Sequence, residues 1–169
     1  NNYLTYPAPS GRLTPAPSGY LPVYLSHYGR HGSRYLIHEQ QYLCPIETLQ
    51  QADSAGVLTN EGKDILKKLR LMYAESYKRW GELTPLGAQQ HQQIARRMYR
   101  RFPSVFRDSV WVDAKSTDVI RCILSMENEL QELIRHNPRL RIRHDASAHD
   151  IYFMKQPDEK LSHQRDSSA

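Results

Sequence analysis

Leu21-Pro22-Val23-Tyr24-Leu25-Ser26 runs directly into His27-Tyr28-Gly29-Arg30-His31-Gly32-Ser33-Arg34-Tyr35, and the reading of the whole chain turns on this stretch. The first half is an apolar run with Pro22 at its start, where a missing N–H does little harm. It reads as a short buried strand. The second half breaks at Gly29 and Gly32 and crowds Arg30, His31 and Arg34 around those glycines. In open α/β sheets, ligands sit outside the carboxyl ends of strands. A glycine-flanked turn leading into a helix also offers free backbone N–H groups to an anion. Arg30, His31 and Arg34 are therefore expected where a phosphate binds.

Working outward, the apolar residues Ile65, Leu66, Leu69, Met72 and Tyr73 recur at helical spacing, with Asn60 as the expected N-cap. Thr84-Pro85 opens another helix, a cap residue followed by proline at the first helical position, which runs through Ile94 and Met98 toward Pro103. Val110-Trp111-Val112 reads as a strand. Ser116 or Thr117 is the expected cap of a helix through Ile120, Leu124, Leu130 and Leu133, which Asn137-Pro138 ends. Leu140-Arg141-Ile142-Arg143 alternates as a strand does. Strand, helices, strand, helix, strand is the order of an α/β fold with a mainly parallel sheet flanked by helices.

The chemistry of phosphate explains why arginine and histidine belong together here. Phosphoryl transfer spreads charge over three equatorial oxygens, so catalysis is mainly positioning and electrostatic stabilisation. Guanidinium groups are permanently charged and grip phosphate oxygens two at a time. A neutral imidazole among them attacks phosphorus through one nitrogen while a backbone carbonyl holds the other N–H. The arginines disfavour its protonation, and Gly32 is expected to leave room for the phosphate. Other chemistries fit less well. Arg30 and Arg34 would repel a dication from a His27–His31 pair, and no Gly-x-Ser-x-Gly elbow surrounds Ser33.

The chain has 169 residues, 39% of them hydrophobic, with ten prolines and eight glycines. It is too apolar for a disordered chain and has no continuous apolar run long enough for a membrane helix. Lys plus Arg number 23 and Asp plus Glu 18, a formal charge of +5 that suits an anionic ligand without requiring one. Arg96, Arg97, Arg100 and Arg101 read as a solvated helix face. Arg139, Arg141 and Arg143 alternate outward with no aromatic platform beside them, so neither nucleic acid nor membrane is the expected partner. Cys44 and Cys122 are too few for a disulfide framework and read as unlinked thiols.

Three ordered motifs carry a resemblance. Arg30-His31-Gly32-Ser33-Arg34 resembles the Arg-His-Gly-x-Arg signature of the histidine phosphatase superfamily, in its acid phosphatase and phytase branch. Leu83-Thr84-Pro85-Leu86-Gly87-Ala88-Gln89-Gln90-His91 resembles that branch's Leu-Thr-Pro-x-Gly helix start. Ser116-Thr117-Asp118-Val119-Ile120-Arg121-Cys122 resembles the segment bearing its third phosphate-binding arginine. The Arg121-Cys122 pair, the His31-to-Tyr35 run and Ser125 are most similar to the multiple inositol polyphosphate phosphatases.

The resemblance implies a phosphoglycerate-mutase-like fold, incomplete in this chain, and hydrolysis of phosphomonoesters, inositol hexakisphosphate and its lower esters first. Other esters such as sugar phosphates are the alternative, and so is a fragment that binds phosphate without turnover. His31 is implied as the nucleophile, Arg30, Arg34 and Arg121 as the phosphate clamp, and His38 as a substrate contact. No metal or cofactor is implied, and the location is periplasmic or secreted. His149-Asp150 superficially resembles the family's proton donor, which relatives place much further along the chain. The expected organisation is a proline-rich arm over 1–20, an α/β portion over 21–156 with a helical insertion near 36–82, and a polar tail over 157–169. The missing partner is then the C-terminal part of a longer enzyme.

Overall fold

The computed structural model describes residues 10, 11 and 14–155. In chain order the elements are α1 (Gln40–Ser54), α2 (Asn60–Ser76), α3 (Pro85–Arg101), β1 (Trp111–Lys115), α4 (Ile120–His136), β2 (Arg141–Asp145) and α5 (Ala148–Lys155). The expected tail at 157–169 lies outside the described residues, as does much of the arm at 1–20. Within the arm, the Thr14 carbonyl accepts from Arg101 at 2.7 Å.

Capping chemistry sets the helix starts. Thr59 and Thr84 stand in extended backbone before α2 and α3, and their hydroxyls accept from the amides of Gly62 and Gly87. Each satisfies a donor that a helix start leaves open. The cap of α2 is thus Thr59, and Asn60 is its first helical residue. Pro85 sits in the first turn of α3, where its lack of an N–H costs nothing. At α4 no side chain caps the start. Val119 precedes the helix, and Ser116 Oγ donates to the Thr117 carbonyl, so neither Ser116 nor Thr117 plays the expected part.

β1 and β2 pair in parallel, Trp111 opposite Arg141 and Lys115 opposite Asp145, with α4 between them in the chain. Val112 and Ile142 pack on a core of Ala95, Phe106, Leu133 and Leu140 drawn from α3, α4 and their flanking loops. The α/β character and the parallel pairing are present, in a two-stranded sheet among the described residues. The strand expected at Leu21–Ser26 is absent: Leu21, Val23 and Tyr24 are 81–89% exposed. An extended run becomes a strand when its N–H and C=O groups find a neighbour. No described segment pairs with this one, and Leu25 is the residue of the run that reaches the core.

Two arginine groups also differ from expectation. The register of the sheet places the Trp111 ring 5.7 Å from the Arg141 guanidinium and 5.1 Å from that of Arg143, an aromatic partner the linear sequence hides. Arg96 is not simply solvated. It pairs at 2.8 Å with Glu132 of α4, a buried carboxylate that also meets Arg135 and His136. Burial opposes the charge on Glu132, but hydrogen bonds from Arg96 and Arg135 prevail and hold its carboxyl down to about 2. A depressed pKa stabilises the fold above the ordinary value of 4.5, and that contribution is lost as pH falls from 4.5 through about 2. Glu132→Gln should therefore flatten the stability–pH curve in that window, as read from urea midpoints. An unchanged slope would remove Glu132 from the acid response.

Candidate active site

The segment 30–35 does not run into a helix as expected. It lies along the chain leading into α3 instead. Thr84 N–H donates to the Ser33 carbonyl at 2.9 Å, Tyr35 N–H to Glu82 at 3.0 Å, and Gly81 N–H to Leu36 at 2.9 Å. An antiparallel bridge joins Arg34 and Leu83 within this pairing. Thr84 Oγ1 also donates to the Ser33 carbonyl at 2.9 Å while accepting from Gly87 N–H at 3.1 Å. One threonine thus caps α3 and holds the histidine loop, across 51 residues of sequence.

Glycine at 32 and 87 lets these two segments touch. A Cβ on Gly32 would overlap the backbone of Gly87, and one on Gly87 would overlap the Ser33 carbonyl. Gly32 therefore serves close approach to α3, in place of the expected clearance for phosphate. Nor are the amides of Gly32 and Ser33 free for an anion. Gly32 N–H donates to Ser125 Oγ at 3.1 Å and Ser33 N–H to Gln90 Oε1 at 2.8 Å.

His31 stands half-buried at the head of this loop. Its Nδ1 is 2.8 Å from the Gly32 carbonyl. A carbonyl only accepts, so Nδ1 carries the proton and Nε2 keeps its lone pair. Burial lowers the imidazole pKa below 6.5, and Arg121, Arg30 and Arg34 lower it further, while the Gly32 hydrogen bond works the other way. The balance of these influences favours the neutral ring.

The arginines come from two places, Arg30 and Arg34 from the loop and Arg121 from α4. Arg30 is exposed on the loop, and Arg34 is half-buried with Nη1 on the Tyr35 carbonyl at 2.9 Å. Arg121, in the first turn of α4, reaches the Gly81 carbonyl at 3.4 Å through Nη1. Its Nε and the Thr117 Oγ1 are buried without a hydrogen-bond partner among the described residues. His38 is not gathered into this group. It is exposed in the turn before α1, its own N–H donating to Gln41 Oε1. His149 is exposed on α5, and Asp150 is committed to Lys115 at 2.9 Å.

A carboxylate that none of the motifs includes, Glu129, braces the loop together with His91 and His27. Glu129 of α4 accepts from His91 of α3 at 2.8 Å and meets His27 Nε2 at 3.3 Å. Burial resists the charge of Glu129, but both histidines hold its pKa below the usual carboxylate value. The same contact raises that of His27. Glu129 follows Arg121 and Ser125 by eight and four residues on one face of α4, the spacing that could have found it. No group of three or more His, Cys, Asp or Glu suited to a metal occurs among the described residues.

No protein-family model and no curated protein matches the chain. Solved structures of the Bifidobacterium longum multiple inositol polyphosphate phosphatase do. Its apo form is 26% identical with a TM-score of 0.60, over 80% of this chain and 29% of that one. Its complex with inositol hexasulfate is 26% identical with a TM-score of 0.53, over 75% of this chain and 26% of that one. Its complex with phosphate is 25% identical with a TM-score of 0.54, over the same shares. The chain thus spans 26–29% of the length of these structures. The resemblance read from its motifs extends to its three-dimensional structure.

Proposed function

We propose that this chain carries the nucleophile and the phosphate clamp of a phosphomonoesterase that acts on inositol polyphosphates through a phosphohistidine on His31. The observation that supports it most is the His31 ring, its Nδ1–H on the Gly32 carbonyl and Arg30, Arg34 and Arg121 around it. The similar Bifidobacterium enzyme in complex with inositol hexasulfate and with phosphate supports an anionic small-molecule ligand. A wider, phosphoglycerate-mutase-like sheet, the polar tail and a periplasmic or secreted location belong to the same proposal, on the resemblance alone.

In the first step Nε2 of His31 attacks phosphorus, the P–O bond to the alcohol breaks, and a general acid protonates the leaving oxygen. Water then attacks phosphorus and gives its proton to the conjugate base of that acid. The P–N bond breaks, and Nε2 recovers its electron pair. Arg30, Arg34 and Arg121 neutralise the equatorial oxygens throughout, so the clamp needs no metal. We place the general acid in chain outside residues 1–169, in keeping with the share of the similar structures that these residues cover.

Phosphate release by the full-length protein from inositol hexakisphosphate and from sugar phosphates, with rapid quenching, tests the reading. An acid-labile, base-stable phosphoryl group on His31 is expected, with inositol hexakisphosphate the preferred ester. Preference for sugar phosphates would change the substrate. Turnover with no phosphohistidine would overturn the mechanism, and phosphate binding without turnover would leave a binding protein.

A further inference from the structure

The amides of Gly32 and Ser33 end on side chains of two different helices, and the peptide geometry gives each contact a consequence at His31. Ser33 N–H and the Gly32 carbonyl belong to one planar trans peptide unit and point in opposite directions. Gln90 Oε1 accepts from that N–H at 2.8 Å, while His31 Nδ1 donates to that carbonyl at 2.8 Å. The donor here is a backbone amide, so the Gln90 atom facing it must be the oxygen. Fixing the plane from one side therefore fixes the direction of the carbonyl that orients the imidazole. Amide and carbonyl in such a chain also polarise each other, which strengthens the carbonyl as an acceptor.

The preceding peptide unit is held in the same manner. Ser125 Oγ accepts from Gly32 N–H at 3.1 Å and donates to the Arg121 carbonyl at 2.7 Å. A single hydroxyl thus joins the peptide of the nucleophile to the first turn of the helix that carries Arg121. His31 and Arg121 reach the site on separate elements, and their separation is set through this contact.

We infer that Gln90 and Ser125 are positioning residues for the proposed phosphatase site, Gln90 orienting the His31 imidazole through the Gly32–Ser33 peptide and Ser125 setting His31 against Arg121. This rests on the reading of His31 as nucleophile. Neither side chain touches the reacting phosphorus, and a misplacement of about one ångström is enough to cost on the order of 10²-fold in rate.

The test uses the full-length protein. Gln90→Met keeps the length and volume but offers no comparable acceptor, and Gln90→Glu restores one. For Gln90→Met the expected result is a kcat lower by roughly 10- to 100-fold with KM within about 2-fold, since the arginine clamp is untouched. Gln90→Glu should recover most of kcat. Nitrogen-15 NMR of labelled histidine supplies a readout that needs no substrate: His31 should be a single Nδ1–H tautomer in the parent and a mixture in Gln90→Met. Ser125→Ala should lower kcat in the same way, with Ser125→Thr recovering it. Should Gln90→Met fail to fold, a Gln90→Glu enzyme with parental kcat and tautomer sustains the inference, and one that has lost both overturns it. Unchanged kcat and tautomer in Gln90→Met also overturn it. A tautomer shift in a protein that releases no phosphate from any ester sustains the positioning role and overturns the phosphatase reading.

Discussion

His31→Ala in the full-length protein is expected to lose turnover by on the order of 10⁴-fold or more, because removing a covalent nucleophile removes the route and not one contribution to it. The same variant should fold and should still bind. The imidazole is half-buried, and its hydrogen bond is to the carbonyl of the next residue, so its loss costs about 1 kcal/mol. Arg34 and Arg121 do not depend on it for their places: Arg34 rests on Tyr35 and Arg121 on Gly81. Affinity for inorganic phosphate should accordingly change by less than about tenfold, a difference of about 1.4 kcal/mol. Steady-state phosphate release, phosphate titration and a thermal midpoint on the same preparation check all three. Near-parental turnover would overturn the nucleophile assignment. Lost binding with lost activity would make His31 part of the clamp.

Much of this site is legible in the linear sequence because phosphate chemistry constrains residue type. A turn that places His31 between Arg30 and Arg34 has the residue types a phosphate site requires, though a solvated basic turn has them too, and Thr84-Pro85 announces a helix start from local capping alone. Arg121 becomes visible through resemblance to a known segment, since nothing local marks it. What the sequence conceals is tertiary in origin. The stretch Leu21–Ser26 has the composition of a strand, but a strand is a relation between two segments, and these residues pair with none of those described. The amides of Gly32 and Ser33 look free for an anion until α3 and α4 bring Gln90 and Ser125 to them. Arg96 looks solvated on α3 until Glu132 arrives from α4. Trp111 and Arg141 become neighbours through strand register alone. In each case the residue type was readable and its partner was not.

Gly87→Ala separates two opposite expectations for the same position. Gly87 is in the first turn of α3, where helix propensity alone would make alanine more stable than glycine by up to about 1 kcal/mol. The site argues for the reverse sign. A Cβ there would overlap the Ser33 carbonyl and stand 2.9 Å from Ser33 N and 2.6 Å from Leu83 Cδ1. The leucine can rotate away, but the Ser33 backbone cannot move without breaking something. Its carbonyl accepts from Thr84 N–H and Thr84 Oγ1, both at 2.9 Å, and its N–H is the donor to Gln90. Relief therefore requires the histidine loop and the start of α3 to separate, which overpacking data value at about 1–3 kcal/mol, more than the propensity gain. The displacement falls next to the peptide that orients His31, so kcat should drop on the order of 10²-fold. Denaturant midpoints and initial rates on Gly87→Ala decide between the two. A more stable protein with intact turnover would mean that the loop and helix do not need this contact, and that the Leu-Thr-Pro-x-Gly start is a helix signal and nothing more.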